Sequence, residues 1–176
     1  MIAESLAGRR IAITGSTGFL GTALVERLLR SVPDCNLVLI VRPARRGAQR
    51  RVDRDILRND AFDRLRKDLG DETFDQMAAN RITAVAGDVS DEGLGLDEEG
   101  RSVLATCDTV IHSAAIVSFD SPLDQAVEVN LLGPVRITET LAELGTTPHL
   151  VAVSTCYVAG SRRGAAPEEP VNESPF

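Results

Sequence analysis

Three glycines, Gly15, Gly18 and Gly21, follow an apolar run of strand length and precede a helical pattern. The first backbone N–H groups of a helix have no intrahelical partner, and the helix dipole adds positive potential there. A pyrophosphate binds well at such a place. The spacing predicts a sharp turn at Gly15, close approach of phosphates at Gly18 and close helix–strand packing at Gly21. A plain strand–turn–helix without a ligand is the alternative interpretation.

Charged residues follow the second and third predicted strands, and parallel α/β sheets bind ligands at the carboxyl ends of their strands. Arg42 ends the second strand, with Arg45 or Arg46 close behind it. Arginine at this place suits the 2′-phosphate of NADP, whereas an acidic residue would suit NAD. Asp88 and Val89 end the third strand, where they would contact adenine. Surface arginines and a turn-capping aspartate are the alternatives.

Small and hydroxyl-bearing residues end the fourth and fifth predicted strands. Ser113, Ala114 and Ala115 would let the backbone approach a cofactor closely, or would pack tightly in the core. Ser154 and Thr155 would place hydroxyls where a nicotinamide lies.

Asn130 lies within a predicted helix, where asparagine has poor propensity, so we predict a specific hydrogen-bonding role for it. His112 and His149 are interpreted as structural residues. Cys156 is interpreted as an inert thiol because no basic residue adjoins it. The three cysteines lack metal-ligand spacing, which predicts reduced thiols, no metal site and a cytoplasmic location.

Five strands separated by helical segments must position these residues. Strands are predicted over 10–14, 37–41, 82–86, 109–112 and 149–153. The first helix is expected to place Leu20, Leu24 and Leu28 on one face and Glu26 in solvent. Further helices are predicted over 50–69, 73–79, 97–105 and 121–144, the last bent by Pro134. The alternation predicts an α/β fold, a Rossmann-type doubly wound parallel sheet in one domain over 1–176.

Composition excludes several classes of protein. The 176 residues are 43% hydrophobic and 26% charged, which is typical of a globular domain, and no apolar stretch is long enough to span a membrane. The net charge of −7 argues against nucleic acid as a partner. Ten of the nineteen Lys and Arg residues nevertheless lie between Arg42 and Lys67, in a polar excursion over 44–80. This excursion is interpreted as a solvated basic helix or as a surface for phosphate-bearing ligands.

Seven segments within residues 10–160 together resemble the extended short-chain dehydrogenase/reductases, most closely the fatty acyl-CoA reductase branch, also called the male-sterility type. They are also similar to the terminal thioester-reductase domains of carboxylic acid reductases and peptide synthetases. The matching segments are 14–21, 41–42, 87–90 with 94–96, 110–115, 117–119, 129–133 and 153–158. The resemblance implies that NADPH reduces a fatty acyl-CoA or carrier-protein thioester to an aldehyde or alcohol.

The resemblance and the strand-end residues together define the predicted site. The resemblance assigns the catalytic hydroxyl to Thr155, with Ser154 as the neighbouring candidate. The predicted cofactor contacts are Thr14, Gly15, Ser16, Thr17, Gly18, Phe19, Leu20, Gly21, Arg42, Arg45, Asp88, Val89, Ser113, Ala114, Ala115 and Asn130.

The chain departs from the family at the residues that transfer the proton. The family uses a tyrosine and a lysine four residues later, but this sequence has one tyrosine, Tyr157, and one lysine, Lys67. We therefore predict that the chain is the N-terminal part of a longer protein and is inactive alone. That protein is expected in the cytoplasm, with peripheral membrane association as an alternative. A sugar-nucleotide epimerase or dehydratase, a sterol dehydrogenase and a non-catalytic nucleotide-binding module are the alternative functions.

Overall fold

The computed structural model describes residues 2–168 and contains one five-stranded parallel sheet with the strand order β3-β2-β1-β4-β5. Helices cover both faces, so the predicted doubly wound, Rossmann-type fold is confirmed. Every predicted strand boundary lies within one residue of the observed one. The strands are β1 Arg10–Thr14, β2 Asn36–Val41, β3 Ile82–Ala86, β4 Thr109–His112 and β5 His149–Ala152.

Eight α-helices lie in this region, of which the first precedes β1 and the other seven connect the strands. Two π-helical segments, Asp53–Leu57 and Val127–Leu131, extend two of them. No helix in this part of the chain has the length and apolar character needed to cross a membrane. The helices are α1 Ile2–Leu6, α2 Phe19–Ser31, α3 Ala48–Val52, α4 Asp63–Leu69, α5 Asp71–Arg81, α6 Glu98–Ala105, α7 Leu123–Ala126 and α8 Leu132–Glu143.

Two hydrophobic cores lie on opposite faces of the sheet because successive strand residues point to opposite sides. In β1, Ile11 and Ile13 face one core, which lies beneath α2 and the excursion, while Ala12 faces the other. The second core lies beneath α6 and α8, which contribute Leu104 and Ile137. The central strands β1 and β2 are therefore buried on both faces, as their continuously apolar sequences require, whereas the edge strand β5 is largely exposed.

The buried face of α2 differs from the predicted one. Leu20 is 45% exposed, whereas Val25 is fully buried and Glu26 is only 8% exposed. A Cβ at Gly21 would clash with the backbone of the preceding loop, so Gly21 must face that loop. This contact fixes the rotation of the helix and brings Val25, rather than Leu20, against the sheet. The buried Glu26 carboxylate accepts a hydrogen bond from Arg30 at 2.6 Å.

The excursion is not the single helix predicted over 50–69. The first helical stretch ends at Leu57, and Asn59 caps a new turn, because its side-chain oxygen accepts a hydrogen bond from the Ala61 N–H at 3.0 Å. The segment predicted over 73–79 extends over 71–81. Phe62 and Phe74, both fully buried, pack edge to face with ring centroids 5.9 Å apart. The excursion therefore completes the core on the α2 face.

Arg81 ties the end of the excursion to the end of α2. Its guanidinium donates hydrogen bonds to the carbonyls of Leu29 at 2.9 Å, Val32 at 2.7 Å and Cys35 at 2.9 Å. The last carbonyls of a helix lack intrahelical donors, and a cation at this end also interacts favourably with the helix dipole. Arg81 therefore serves as the C-terminal cap of α2.

The bend predicted at Pro134 takes the form of the π-helical segment Val127–Leu131, which precedes the proline. Proline has no N–H for the carbonyl four residues earlier and crowds that carbonyl. A wider π turn accommodates the mismatch and is frequent at functional sites. The helical stretch runs from Leu123 to Glu143, and Pro122 caps its start.

Candidate functional site

The β1–α2 loop and the first turn of α2 can be built only with glycine at two positions. Gly15 has a φ of +73°, and a Cβ there would lie 2.5 Å from the Ala114 nitrogen. A Cβ at Gly21 would lie 2.7 Å from the Ser16 Cα. At Gly18 the nearest atom to such a Cβ is the Gly15 oxygen at 3.3 Å, with no other atom within 4 Å. A Cβ at Gly18 would therefore make one tight contact, with the Gly15 carbonyl oxygen, and would otherwise be unobstructed.

A cavity of about 530 Å³ lies beside this loop, at the carboxyl ends of the strands. We call it the nucleotide cavity, because it lies at the carboxyl ends of the strands, where α/β sheets bind dinucleotides, and its volume is within the range of small-molecule sites. Predicted residues from four strand ends converge on it. They are Thr14, Gly15, Thr17, Gly18, Arg42, Asp88, Val89, Ser113, Ala114 and Ala115.

The wall of the cavity opposite the loop was missed in the sequence. Asp124, Gln125, Glu128 and Val129 line it, from α7 and the π-helical segment that follows. Their spacing is that of one helix face, which was the available signal, but nothing in the sequence indicated which face would meet the cavity. Arg136 forms an ion pair with the Glu128 carboxylate and so offsets part of the negative charge of this wall.

Several predicted residues lie outside the lining of this cavity. Ser16 is buried with a hydroxyl that has no hydrogen-bond partner within residues 2–168, while Phe19 is 98% exposed. Arg45 lines a separate cleft, described below. Ser154 and Thr155 follow β5 and are exposed, and the Thr155 hydroxyl accepts a hydrogen bond from the Tyr157 N–H at 3.3 Å.

Asn130 holds the loop that follows β4. Its side-chain oxygen accepts a hydrogen bond from the Ile116 N–H at 2.8 Å, and its NH₂ group donates to the Ile116 carbonyl at 2.9 Å. Ile116 itself lines the nucleotide cavity. The specific hydrogen-bonding role predicted for Asn130 is thus directed at the cavity wall, and not at the cavity itself.

His112 is buried beneath the same loop. Its Nδ1 lies 2.8 Å from the hydroxyl oxygen of Thr14, which also accepts a hydrogen bond from the Ala114 N–H at 3.4 Å. Burial lowers the pKa of His112. A neutral imidazole with its proton on Nε2 lets the Thr14 hydroxyl donate to Nδ1. The pair links β1 to β4 beneath the cavity, which supports the structural role predicted for His112.

Asp88 caps the turn after β3. One carboxylate oxygen accepts hydrogen bonds from the N–H of Ser90 at 3.0 Å and from its hydroxyl at 2.7 Å. Both residues line the nucleotide cavity. The second carboxylate oxygen has no hydrogen bond within residues 2–168, so it can still accept one from a ligand.

A family model described as male sterility protein, an NAD-binding domain, matches residues 13–175. The chain belongs to this family. Among curated relatives it is 32% identical over 169 residues to fatty acyl-CoA reductase 8 of Arabidopsis thaliana, covering 94% of this chain and 34% of the relative. It is 34% identical over 165 residues to fatty acyl-CoA reductase 1 of Rattus norvegicus, covering 92% and 31%. The chain thus spans about a third of the length of these relatives.

Several solved structures similar to this male sterility domain are reductase domains. The terminal R domain of the myxalamid PKS-NRPS biosynthetic pathway superposes with a TM-score of 0.72 at 28% identity, covering 93% of this chain and 39% of that one. The R domain of a non-ribosomal peptide synthetase from Mycobacterium tuberculosis gives 0.60 at 33% identity, with coverages of 91% and 37%. The predicted resemblance is confirmed.

A nicotinamide dinucleotide fits the cavity of this male sterility domain. Glycine and alanine backbone lines the side where phosphates would approach, and a side chain at Gly18 would fill that space. The Arg42 side chain is exposed at the end of β2 and has no ion pair among the described residues. These features provide backbone donors for a pyrophosphate and a guanidinium for a further phosphate.

Proposed function

We propose that residues 1–176 supply the cofactor-binding part of an NADPH-dependent reductase of acyl thioesters, acting on fatty acyl-CoA or a carrier-protein thioester. The observation that carries the proposal is the convergence of the glycine loop, Arg42 and the ends of β3 and β4 on one cavity, in a chain of the male sterility family. The relatives described above are fatty acyl-CoA reductases, and the two structural neighbours described above are R domains, which supports a thioester substrate.

Within the cavity, each side chain has a proposed role. The loop Thr14–Gly21 holds the pyrophosphate, and Arg42 binds the 2′-phosphate, which favours NADP over NAD. The free oxygen of Asp88 accepts from the adenine amino group, while Val89 packs against the ring. Ser113, Ala114 and Ala115 leave room for the cofactor backbone, and Asn130 orients their loop through Ile116.

When bound there, NADPH supplies the hydride for the carbonyl carbon of the thioester. Thr155, with Ser154 beside it, is proposed to hold the oxygen on which negative charge develops. The proton donor has to come from outside residues 1–176, because these contain no tyrosine followed by a lysine at the family spacing. The free thiols of Cys35, Cys107 and Cys156 favour a reducing, cytoplasmic location.

Two measurements test the proposal. Residues 1–176 should bind NADPH in a fluorescence titration, and a polypeptide that continues past Phe176 should consume NADPH when a long-chain acyl-CoA is added. Formation of aldehyde or alcohol, measured by gas chromatography, is the expected result. Turnover of a sugar nucleotide or a sterol with no thioester reduction would overturn the proposal in favour of another oxidoreductase.

A further inference from the structure

A second cleft, of about 600 Å³, follows the end of β2 and is lined mainly by arginine. None of its lining residues lines the nucleotide cavity. Ala44, Gly47 and Asp53 complete its lining. We call it the arginine cleft, after its six arginines, which are Arg45, Arg46, Arg50, Arg51, Arg54 and Arg58.

The arginine cleft has a large excess of positive charge. Its six arginines face two carboxylates, Asp53 in the lining and Asp55 beside it, which leaves a formal charge of +4. The whole chain has a net charge of −7, so the arginine cleft is a local concentration of positive charge on an acidic chain. Such a concentration of positive charge attracts anions electrostatically and so speeds their association with the cleft.

Most of these guanidinium groups are free to bind a ligand. Arg54 donates to Asp55, and Arg51 donates to the Arg42 carbonyl at 3.0 Å. The other four cleft arginines have no ion pair within residues 2–168, and all four are exposed. Like charges held this close repel one another, and a bound anion would relieve that repulsion.

The residue type and the shape narrow the class of ligand. Every basic residue in the lining of the cleft is an arginine. The planar guanidinium group of arginine binds phosphate through two parallel hydrogen bonds. A concave cleft of this volume suits a small molecule. We propose that the arginine cleft binds the 3′-phosphoadenosine diphosphate end of coenzyme A, the carrier of the thioester substrate. Its three phosphates have a charge of roughly −4 at neutral pH, which matches that of the cleft.

The position of the cleft suits this ligand, and the inference rests on the proposed function. Arg51 contacts the Arg42 backbone, so the arginine cleft adjoins the edge of the sheet that has the nucleotide cavity. The strand order places β5 three interstrand spacings from β2, about 15 Å at roughly 4.8 Å each. An extended pantetheine arm covers that distance, so the thioester would reach the end of β5, where Thr155 lies.

Calorimetric titration of residues 1–176 with coenzyme A, 3′-dephospho-coenzyme A and NADPH tests the inference. We expect coenzyme A to bind about tenfold tighter than the dephospho form, because a charge-assisted phosphate contact is lost. The double variant Arg50→Gln/Arg58→Gln should weaken coenzyme A binding by about tenfold or more and leave NADPH binding within about twofold. Both positions are exposed, and thermal melts verify that the variant folds.

The matched control is the double variant Arg27→Gln/Arg64→Gln, which also removes two exposed arginines, one from α2 and one from α4, where Arg64 pairs with Asp68 at 3.7 Å outside the cleft. It should leave both affinities unchanged. Absence of coenzyme A binding, equal binding of the two coenzyme forms, or parallel loss of NADPH binding in the double variant would overturn the inference. Binding of an acidic carrier protein in place of coenzyme A would also overturn it. If coenzyme A binds as expected and NADPH does not bind, the cleft assignment stands and the proposed function fails.

Discussion

Gly18, at the N-cap position of α2, and Gly21, in the first turn of α2, respond differently to a side chain. Gly18→Val should abolish NADPH binding while keeping the fold, because a Cβ there meets only the Gly15 carbonyl oxygen, at 3.3 Å. Gly21→Val should instead destabilise the fold, because its Cβ would clash with the Gly15 and Ser16 backbone. Thermal melts and NADPH titration of both variants provide the test. NADPH binding by a folded Gly18→Val chain would refute the phosphate-loop assignment.

Arg42 is the residue on which the cofactor preference depends. NADPH should bind better than NADH, and Arg42→Ala should remove most of that preference, about 1.5–3 kcal/mol for a charge-assisted hydrogen bond. Arg27→Ala, which removes an exposed arginine of α2, is the control and should leave the preference intact. Equal affinities of the unmutated chain for NADPH and NADH would contradict the assignment.

The buried His112 should make stability depend on pH. Burial lowers its pKa in the folded chain below the value of about 6.5 in the unfolded chain, so protons favour the unfolded state. Stability is therefore full above about pH 6.5 and falls as the pH drops below it. Thermal melts between about pH 7.5 and 5.5 should show this slope in the unmutated chain and a flatter one in His112→Gln. The exposed His149 provides the control, since His149→Gln should retain the slope of the unmutated chain.

At the scale of residues, the strand ends were predictable because all parallel strands end at one edge of the sheet. The cavity-lining face of α7 was not, because the packing of that helix depends on contacts distant in sequence. In the sequence, Asp124 and Glu128 were equally compatible with a solvent-exposed position and with a position in the cavity lining. Asn130 was identified from its poor helix propensity, but its partner, the Ile116 backbone, could be found only in three dimensions.

The cap of α2 by Arg81 is an element-scale contact with a measurable effect. Arg81→Met should lower the free energy of unfolding by about 2–4 kcal/mol, because three carbonyls lose a charged donor. Urea denaturation measures the change, with Arg27→Met as the control for loss of an exposed arginine. A loss below about 0.5 kcal/mol would mean that water replaces the guanidinium at little cost.

Strands and helices were not equally predictable from the sequence. Apolar runs defined the strands to within one residue. For β1 and β2 the reason is burial on both faces, which needs apolar side chains throughout, whereas β5 has the same apolar pattern but is largely exposed. The long helix over 50–69 was wrong because periodicity alone does not mark the break that Asn59 introduces by capping a new turn. The face of α2 was wrong because the close approach at Gly21, not the leucine spacing, sets its rotation.

For the whole molecule, we predict that residues 1–176 alone do not reduce acyl thioesters. One tyrosine at 157 and one lysine at 67 leave no pair at the required spacing. General acid catalysis typically contributes about 10²–10⁴-fold, and the Thr155 hydroxyl does not replace it. The assay is NADPH oxidation with a long-chain acyl-CoA, on residues 1–176 and on a polypeptide that continues past Phe176. Similar rates for the two would refute the assignment of the missing pair.

The strand order also has a consequence for synthesis on the ribosome. The central strand, β1, pairs with β2 at residues 36–41, but its other neighbour, β4, begins only at residue 109. At a synthesis rate of about 5–20 residues per second, one edge of β1 remains without its partner strand for several seconds. The buried residues of the α2-side core lie between Ile11 and Ile82, and the partly buried Ile111 of β4 packs against them, so most of this face can close before β4 has been made. The nascent chain thereby first forms the part of its nucleotide cavity at the ends of β1, β2 and β3, and β4, α7 and the π-helical segment complete the lining later.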